Sequence, residues 1–255
     1  MEVEFYLHKS VDENAGIYFD AAKKAKKKLA GAEKALLDSQ KKLAELQLQD
    51  EKFSQEEEKK KAKVEKKREW YEKFHWFISS EGFLCLGGKD ATSNELIIKK
   101  HLEKDDLVFH TDMSGSPFFL IKNGQNAGEI TLQQAAQATA VYSRAWKRGL
   151  GTAEVYSFHP DQVKKELGLP KGSFMIYGKR NYFSPRLELA IGLVGEEIIG
   201  GPLAAIQAKT KEYLLIVPGQ EKSSALAKKI KAKLKGGDLD EIIRFLPVGG
   251  CDLKK

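Results

Sequence analysis

The chain has 255 residues, 42% of them apolar and 31% charged, with a net charge of +7. That suffices for one or two domains with sizeable cores and is too apolar for a disordered chain. No apolar run reaches the ~18 residues of a membrane-spanning helix, no basic-then-apolar leader opens the chain, and two cysteines, Cys85 and Cys251, make neither a disulfide framework nor a Cys-rich zinc site; a reducing cytoplasm is the expected compartment.

From Asp12 to about Trp70 there is no proline, and Lys, Glu, Ala, Leu and Gln dominate. These are strong helix formers. A heptad frame places Ala15, Ala22, Leu29, Leu36 and Leu43 at a, and Tyr18, Ala25, Ala32, Ser39 and Leu46 at d. Only Ser39 interrupts the apolar seam, which points to a coiled coil. The seam decays through Asp50, Phe53, Glu57 and Lys60. A hairpin turning at Gln47–Asp50 is the alternative, but no Gly, Asn or Pro stands there. A single helix capped by Asp12 is favoured, and its uncovered seam implies self-association.

From Tyr71 the character changes, with five aromatics between Tyr71 and Phe83. The pattern predicts strands over 76–80 and 83–87, a helix over 91–102, strands over 107–110 and 118–121, and a helix over 131–146 capped by Thr131. Strands then follow over 173–177, 187–194, 203–207 and 213–217, and helices over 221–234 and 239–245. The fold class is therefore α+β, with a long helix over 1–70 and a mixed domain over 71–255.

Catalytic signals are weak. None of the five histidines has metal-ligand spacing, and neither a P-loop nor a Gly-x-Ser-x-Gly elbow is present. Gly87-Gly88-Lys89 only superficially resembles a phosphate loop, and Cys85 reads as a small packed hydrophobe. His110 and Asp112, at i and i+2, share one strand face, either as a site or as a hydrogen-bonded pair ordering the following turn. No metal and no cofactor is expected, and the chain reads as non-enzymatic.

Polyanion signals are stronger. Basic runs occupy Lys23–Lys28, Lys59–Arg68 and Lys222–Lys235. Two loops are more specific. Tyr177–Phe183 places Lys179, Arg180 and Asn181 between aromatics, and Arg144, Lys147 and Arg148 surround Trp146, itself more a core residue than a platform. Cations fix phosphates, while aromatics and amides stack on or bond unpaired bases. Lys89, Lys122, His110 and Asp112 complete the candidate RNA-contacting set. The rival readings are an RNA-metabolism enzyme using His110 and Asp112, and a protein-binding coiled-coil adaptor.

Several segments together resemble a known family. Trp70–Phe83 running into Gly87–Glu95, then Asp106–Gly115, Tyr142–Trp146 and Gly172–Asn181, are similar in order and spacing to the RNA-binding domain of the NFACT family. Leu7–Asp20 resembles that family's entry into its coiled-coil helix, and the chain departs from the family pattern at Ser114 and Pro117. The resemblance implies the C-terminal half of such a protein, or a stand-alone version of it; in the family the coiled-coil partner helix and the tailing domain come from upstream sequence. It further implies binding to large ribosomal subunits stalled with peptidyl-transfer-RNA, with ribosomal RNA or transfer RNA as partner. No membrane partner is expected.

Overall fold

In the computed structural model, residues 4–62 and 69–254 are described, the side chains of 44, 45 and 47–62 excepted. Two units divide at Lys67–Arg68.

The first unit is the helix α1, Val11–Ala62, which at 1.5 Å per residue extends about 78 Å. It passes through Gln47–Asp50 without a turn, so the hairpin alternative does not form. Its cap is Ser10 rather than the expected Asp12, which lies inside the first turn. The Ser10 hydroxyl accepts from the Glu13 amide at 3.2 Å, and the Glu13 carboxylate accepts from the Ser10 amide at 2.8 Å. This reciprocal pair satisfies two orphan donors. Asn14 is buried, accepts from the Tyr6 amide and donates to the Tyr6 and Ser10 carbonyls, which folds the preceding segment back on the helix. Along the seam Tyr18 donates to the Glu4 carbonyl at 2.6 Å, while Leu29, Leu36, Leu43 and Leu46 are each more than half exposed. Ala15, Ala22, Ala25 and Ala32 are exposed as well.

The second unit is α+β. A six-stranded antiparallel sheet comprises β1 (His75–Ile78), β2 (Leu84–Gly87), β3 (Leu107–His110), β4 (Phe119–Ile121), β5 (Val155–Phe158) and, after the two-stranded ribbon of β6 (Val163–Lys164) and β7 (Met175–Ile176), β8 (Asn181–Phe183). Its order is β1-β2-β4-β3-β5-β8. Helix α2 (Ala91–Leu96) continues into a π turn at Ile97–His101, and α3 (Glu129–Val141) and α4 (Arg144–Lys147) follow β4. A second sheet contains β9 (Leu189–Val194), β10 (Glu197–Gly201), β11 (Tyr213–Pro218) and β12 (Cys251–Leu253) in the order β10-β9-β11-β12, with α5 (Leu203–Gln207), α6 (Ser223–Leu234) and α7 (Leu239–Phe245) packed around it.

The inner strands β2, β3, β4 and β5 are largely buried on both faces, which explains their nearly continuous apolar sequences, whereas the edge strand β8 is mostly exposed. Leu107, Phe109 and Val155 join the larger core with α3 and the second sheet. Val108, Tyr156 and Phe158 point the other way, into a smaller core with Phe74 and Ile97.

Three expectations are corrected. The predicted strand 203–207 is α5: Pro202 ends β10, and its carbonyl accepts from the Ala205 and Ile206 amides. The predicted helix 131–146 is two helices, because Ser143 leaves helical geometry and caps α4 through the Ala145 amide at 3.1 Å. Thr131 is not a cap but a buried tie, its hydroxyl bonded to Ser79 and Glu81.

His75 stacks on Tyr142 with ring centroids 3.8 Å apart, and Tyr142 in turn donates to the Phe245 carbonyl, joining β1 to α3 and α7. Burial lowers the His75 pKa to about 3, and the nearby Lys89 charge adds to this. The folded state therefore excludes a proton that the unfolded chain accepts below about pH 6.5, so this contribution is present above 6.5 and is lost as pH falls toward 3. Unfolding free energies from urea melts at pH 7.5, 6.0 and 5.0 should fall as the pH falls, by up to about 1.4 kcal/mol per pH unit for such a histidine, and His75→Phe should flatten the profile.

Candidate nucleic-acid interface

Strand β3 ends at His110, and residues 111–116 turn the chain back toward β4. The turn is braced from three sides. The Thr111 hydroxyl accepts from the Met113 amide at 3.1 Å. The buried Asn94 of α2 donates to the Ser116 carbonyl at 3.3 Å and accepts from the Phe118 amide at 3.0 Å. At Gly115, φ is +80°, and an added Cβ would lie 2.7 Å from Nε of Arg144. Only glycine lets the arginine lie against the turn here.

Two cationic loops far apart in sequence meet at this turn. Arg180 Nη1 pairs with the Asp112 carboxylate at 3.3 Å, and Arg144 Nη1 donates to the Ser114 hydroxyl at 3.3 Å. The Arg180 guanidinium lies 4.4 Å over the Tyr156 ring and also donates to the Ile176 carbonyl. A row of rings crosses three strands beneath it: His110 is registered with Tyr156, and Tyr156 with Tyr182, with Tyr156–Tyr182 centroids 5.7 Å apart. Tyr182 is 55% exposed.

His110 and Asp112 do not form the pair that their spacing suggests. The His110 ring stacks on Phe118 at 4.3 Å, its Nδ1 is buried without a partner, and Asp112 bonds Arg180 instead. Burial lowers the His110 pKa to about 4, so the ring is neutral at pH 7. Among the described residues no three His, Cys, Asp or Glu side chains gather into a metal centre.

Lys179 and Asn181 are exposed beside Arg180 and line an open cleft of about 850 Å³ with Phe158, His159 and Asp161. The Gln162 amide holds that loop by donating to the Tyr177 and Lys179 carbonyls at 2.6 and 2.9 Å. Lys147 and Arg148 are exposed at the end of α4. Lys89 sits at the same sheet end as the turn, since the Gly88 amide donates to the Phe118 carbonyl. Burial and the nearby Arg244 charge lower its pKa.

Other candidates are not at the turn. Lys122 is at the opposite end of β4, with its amine on the Asp106 carboxylate at 2.6 Å, the His101 carbonyl at 2.8 Å and the Glu103 carboxylate at 3.3 Å. All three donors are thus used internally, so its assignment as an RNA contact is corrected to a structural one. The Gly-Gly-Lys segment is no phosphate loop: the Asp90 carboxylate already caps α2 through Ser93, and Gly88 is needed for contact with Asn94, whose Oδ1 lies 1.9 Å from where a Cβ would be. Trp146 is buried, with its Nε1 donating to the Gly250 carbonyl at 3.1 Å. Cys85 is buried, and burial pushes its thiol pKa well up. The lysines of α6 lie on the second sheet's helix, with Lys229 on Glu221 at 2.6 Å. The run Lys59–Arg68 lies outside the described side chains.

Residues 73–178 match the family described as the NFACT protein RNA-binding domain. The chain belongs to the NFACT family. It is 39% identical over 199 residues, 73% of this chain and 30% of the relative, to the archaeal Rqc2 homolog aRqcH of Methanocaldococcus jannaschii. It is 41% identical over 130 residues to the ribosome quality control complex subunit NEMF homolog of Drosophila melanogaster, covering 49% of this chain and 13% of that one. It is 40% identical over 122 residues to the human ribosome quality control complex subunit NEMF, covering 46% and 11% respectively. The chain thus spans less than a third of the length of each of these relatives. The 111–116 turn and Arg144 lie within the matched region, and Arg180 and Tyr182 stand just beyond it.

Three residues of the site were not singled out from sequence: Asn94, Tyr156 and Tyr182. Tyr156 and Tyr182 lie on β5 and β8, two short strands that the sequence pattern did not predict, and nothing local showed that they converge with α2.

Replacing Lys122 with Met strands the buried Asp106 carboxylate. The variant should lose roughly 3 kcal/mol in urea unfolding, whereas its RNA affinity measured by anisotropy should stay within twofold of the parent.

Proposed function

We propose that this chain is the RNA-contacting, ribosome-directed part of a ribosome quality control factor, engaging large ribosomal subunits that carry peptidyl-transfer-RNA, with no turnover of its own. The observation that carries this reading is the convergence of Arg144 and Arg180 on the 111–116 turn, next to exposed Lys147, Arg148, Lys179 and Asn181. Such a cluster suits phosphate recognition. The Asp112–Arg180 pair is no obstacle, because an exposed ion pair is worth only about 0–1 kcal/mol and a phosphate can replace the carboxylate. The neutral His110 adds no charge, and with its Nδ1 buried and Asp112 committed elsewhere it supplies no acid–base dyad.

Sedimentation of the purified chain with separated ribosomal subunits is the direct test. Co-sedimentation with the large subunit supports the reading, and binding to neither subunit overturns it. With ribosomal RNA fragments, the slope of log affinity against log salt should fall by about 1.4–1.8 when Arg144 and Arg180 are both replaced by Ala, as each phosphate contact is worth roughly 0.7–0.9. A formed nucleotide product would instead favour an enzyme.

The exposed leucines of α1 imply a partner helix, and we assign this to a second copy when the chain is alone. Sedimentation equilibrium should show association that Leu29→Lys, Leu36→Lys and Leu43→Lys together abolish. A monomeric parent at high micromolar concentration contradicts this.

A further inference from the structure

We infer that Tyr182, on the outer edge of the six-stranded sheet, stacks an unpaired nucleobase, so that the RNA engaged by this unit is single-stranded where it crosses β8. This rests on the RNA-binding reading and adds the class of RNA.

Four observations carry it. First, His110, Tyr156 and Tyr182 occupy one register row across β3, β5 and β8 and so face the same side of the sheet. The two inner rings are covered, His110 by Phe118 and Tyr156 by the Arg180 guanidinium, and the outer ring is open. Second, β8 is an edge strand, paired only with β5, so a polynucleotide can approach the ring from the side without displacing protein. Third, the ring is held in place, because Tyr156 lies edge-to-tilted against it at 5.7 Å and Tyr156 is itself fixed by Arg180. Little ordering entropy then remains to be lost on stacking. Fourth, Arg180, two residues before Tyr182, lies over Tyr156 on this same side of the sheet, which puts a cation beside the open aromatic face, whereas Asn181, registered with Ser157, faces the other side.

A duplex keeps its base faces stacked on one another and offers such a ring only phosphates and edges. An unpaired nucleotide offers a free face, and its neighbouring phosphates fall within reach of Lys179 and Arg180. An exposed tyrosine also suits an edge strand by propensity alone, and that reading predicts no effect on RNA.

The experiment is fluorescence anisotropy of the full chain with a labelled 12-nucleotide RNA, alone and annealed to its complement, at one salt concentration. The parent should prefer the single strand. Tyr182→Leu should weaken single-strand binding at least fivefold and leave duplex binding within twofold, while Tyr182→Phe, which keeps the ring, should restore the parent's affinity. Single-strand binding by Tyr182→Leu within twofold of the parent overturns the inference and leaves the RNA-binding reading intact. Failure of the parent to bind either RNA overturns both. If Tyr182→Leu does not fold, photocross-linking of a 5-bromouridine strand to the parent decides: a cross-link on the peptide containing Tyr182 supports the inference, and cross-links only elsewhere overturn it.

Discussion

The amide of Asn94 is the constraint on which the functional end of the sheet depends. It spans the return of the chain from β3 to β4, bonding the Ser116 carbonyl with its nitrogen and the Phe118 amide with its oxygen. Its own position is fixed by the capped start of α2 and by the close approach of Gly88. A buried amide that meets two backbone groups at once leaves the turn one conformation, since any other strands polar atoms away from water. Asp112 and Ser114 are thereby presented outward, and Arg144 and Arg180 have fixed oxygens to bond.

This architecture separates roles within one strand. Phe109 enters the larger core, Val108 the smaller, and His110 closes the end of the smaller core against Phe118. The charged groups sit beyond that apolar seal. Arg180 is partly covered, held over Tyr156 in a contact worth about 0.5–2 kcal/mol, while keeping donors free of the ring plane. An arginine held this way loses less side-chain freedom on meeting a phosphate than a free lysine does. That difference distinguishes this site from the lysine-rich face of α6, where charge is abundant but the described residues offer no comparable aromatic support.

Much of the fold was legible because the signals were local. The α1 helix followed from composition and heptad spacing, and β2, β3, β9 and β11 from short apolar runs. The misreadings have local causes too. Leu203–Gln207 is as apolar as a strand, and only the preceding Pro202 marks it as the start of a helix. Ser143 looks like one more polar position in an Ala-rich helix until its hydroxyl caps the next one. The site was legible in part. Arg144, Arg180 and Asn181 stood out as cations and amides among aromatics, but their meeting at the 111–116 turn depends on β5 and β8, two short strands without a periodic signal. Lys122 looked equivalent to the others in sequence, since the buried Asp106 that claims it lies 16 residues away.

Hydrogen–deuterium exchange on the full chain, with and without a single-stranded RNA, tests the central claim most directly. The convergence of the turn with the two arginine loops predicts slowed exchange in residues 110–118, 144–149 and 177–183 together when RNA is added, with α6 unchanged. Protection confined to 222–235, with the turn exchanging as in the free chain, would contradict it.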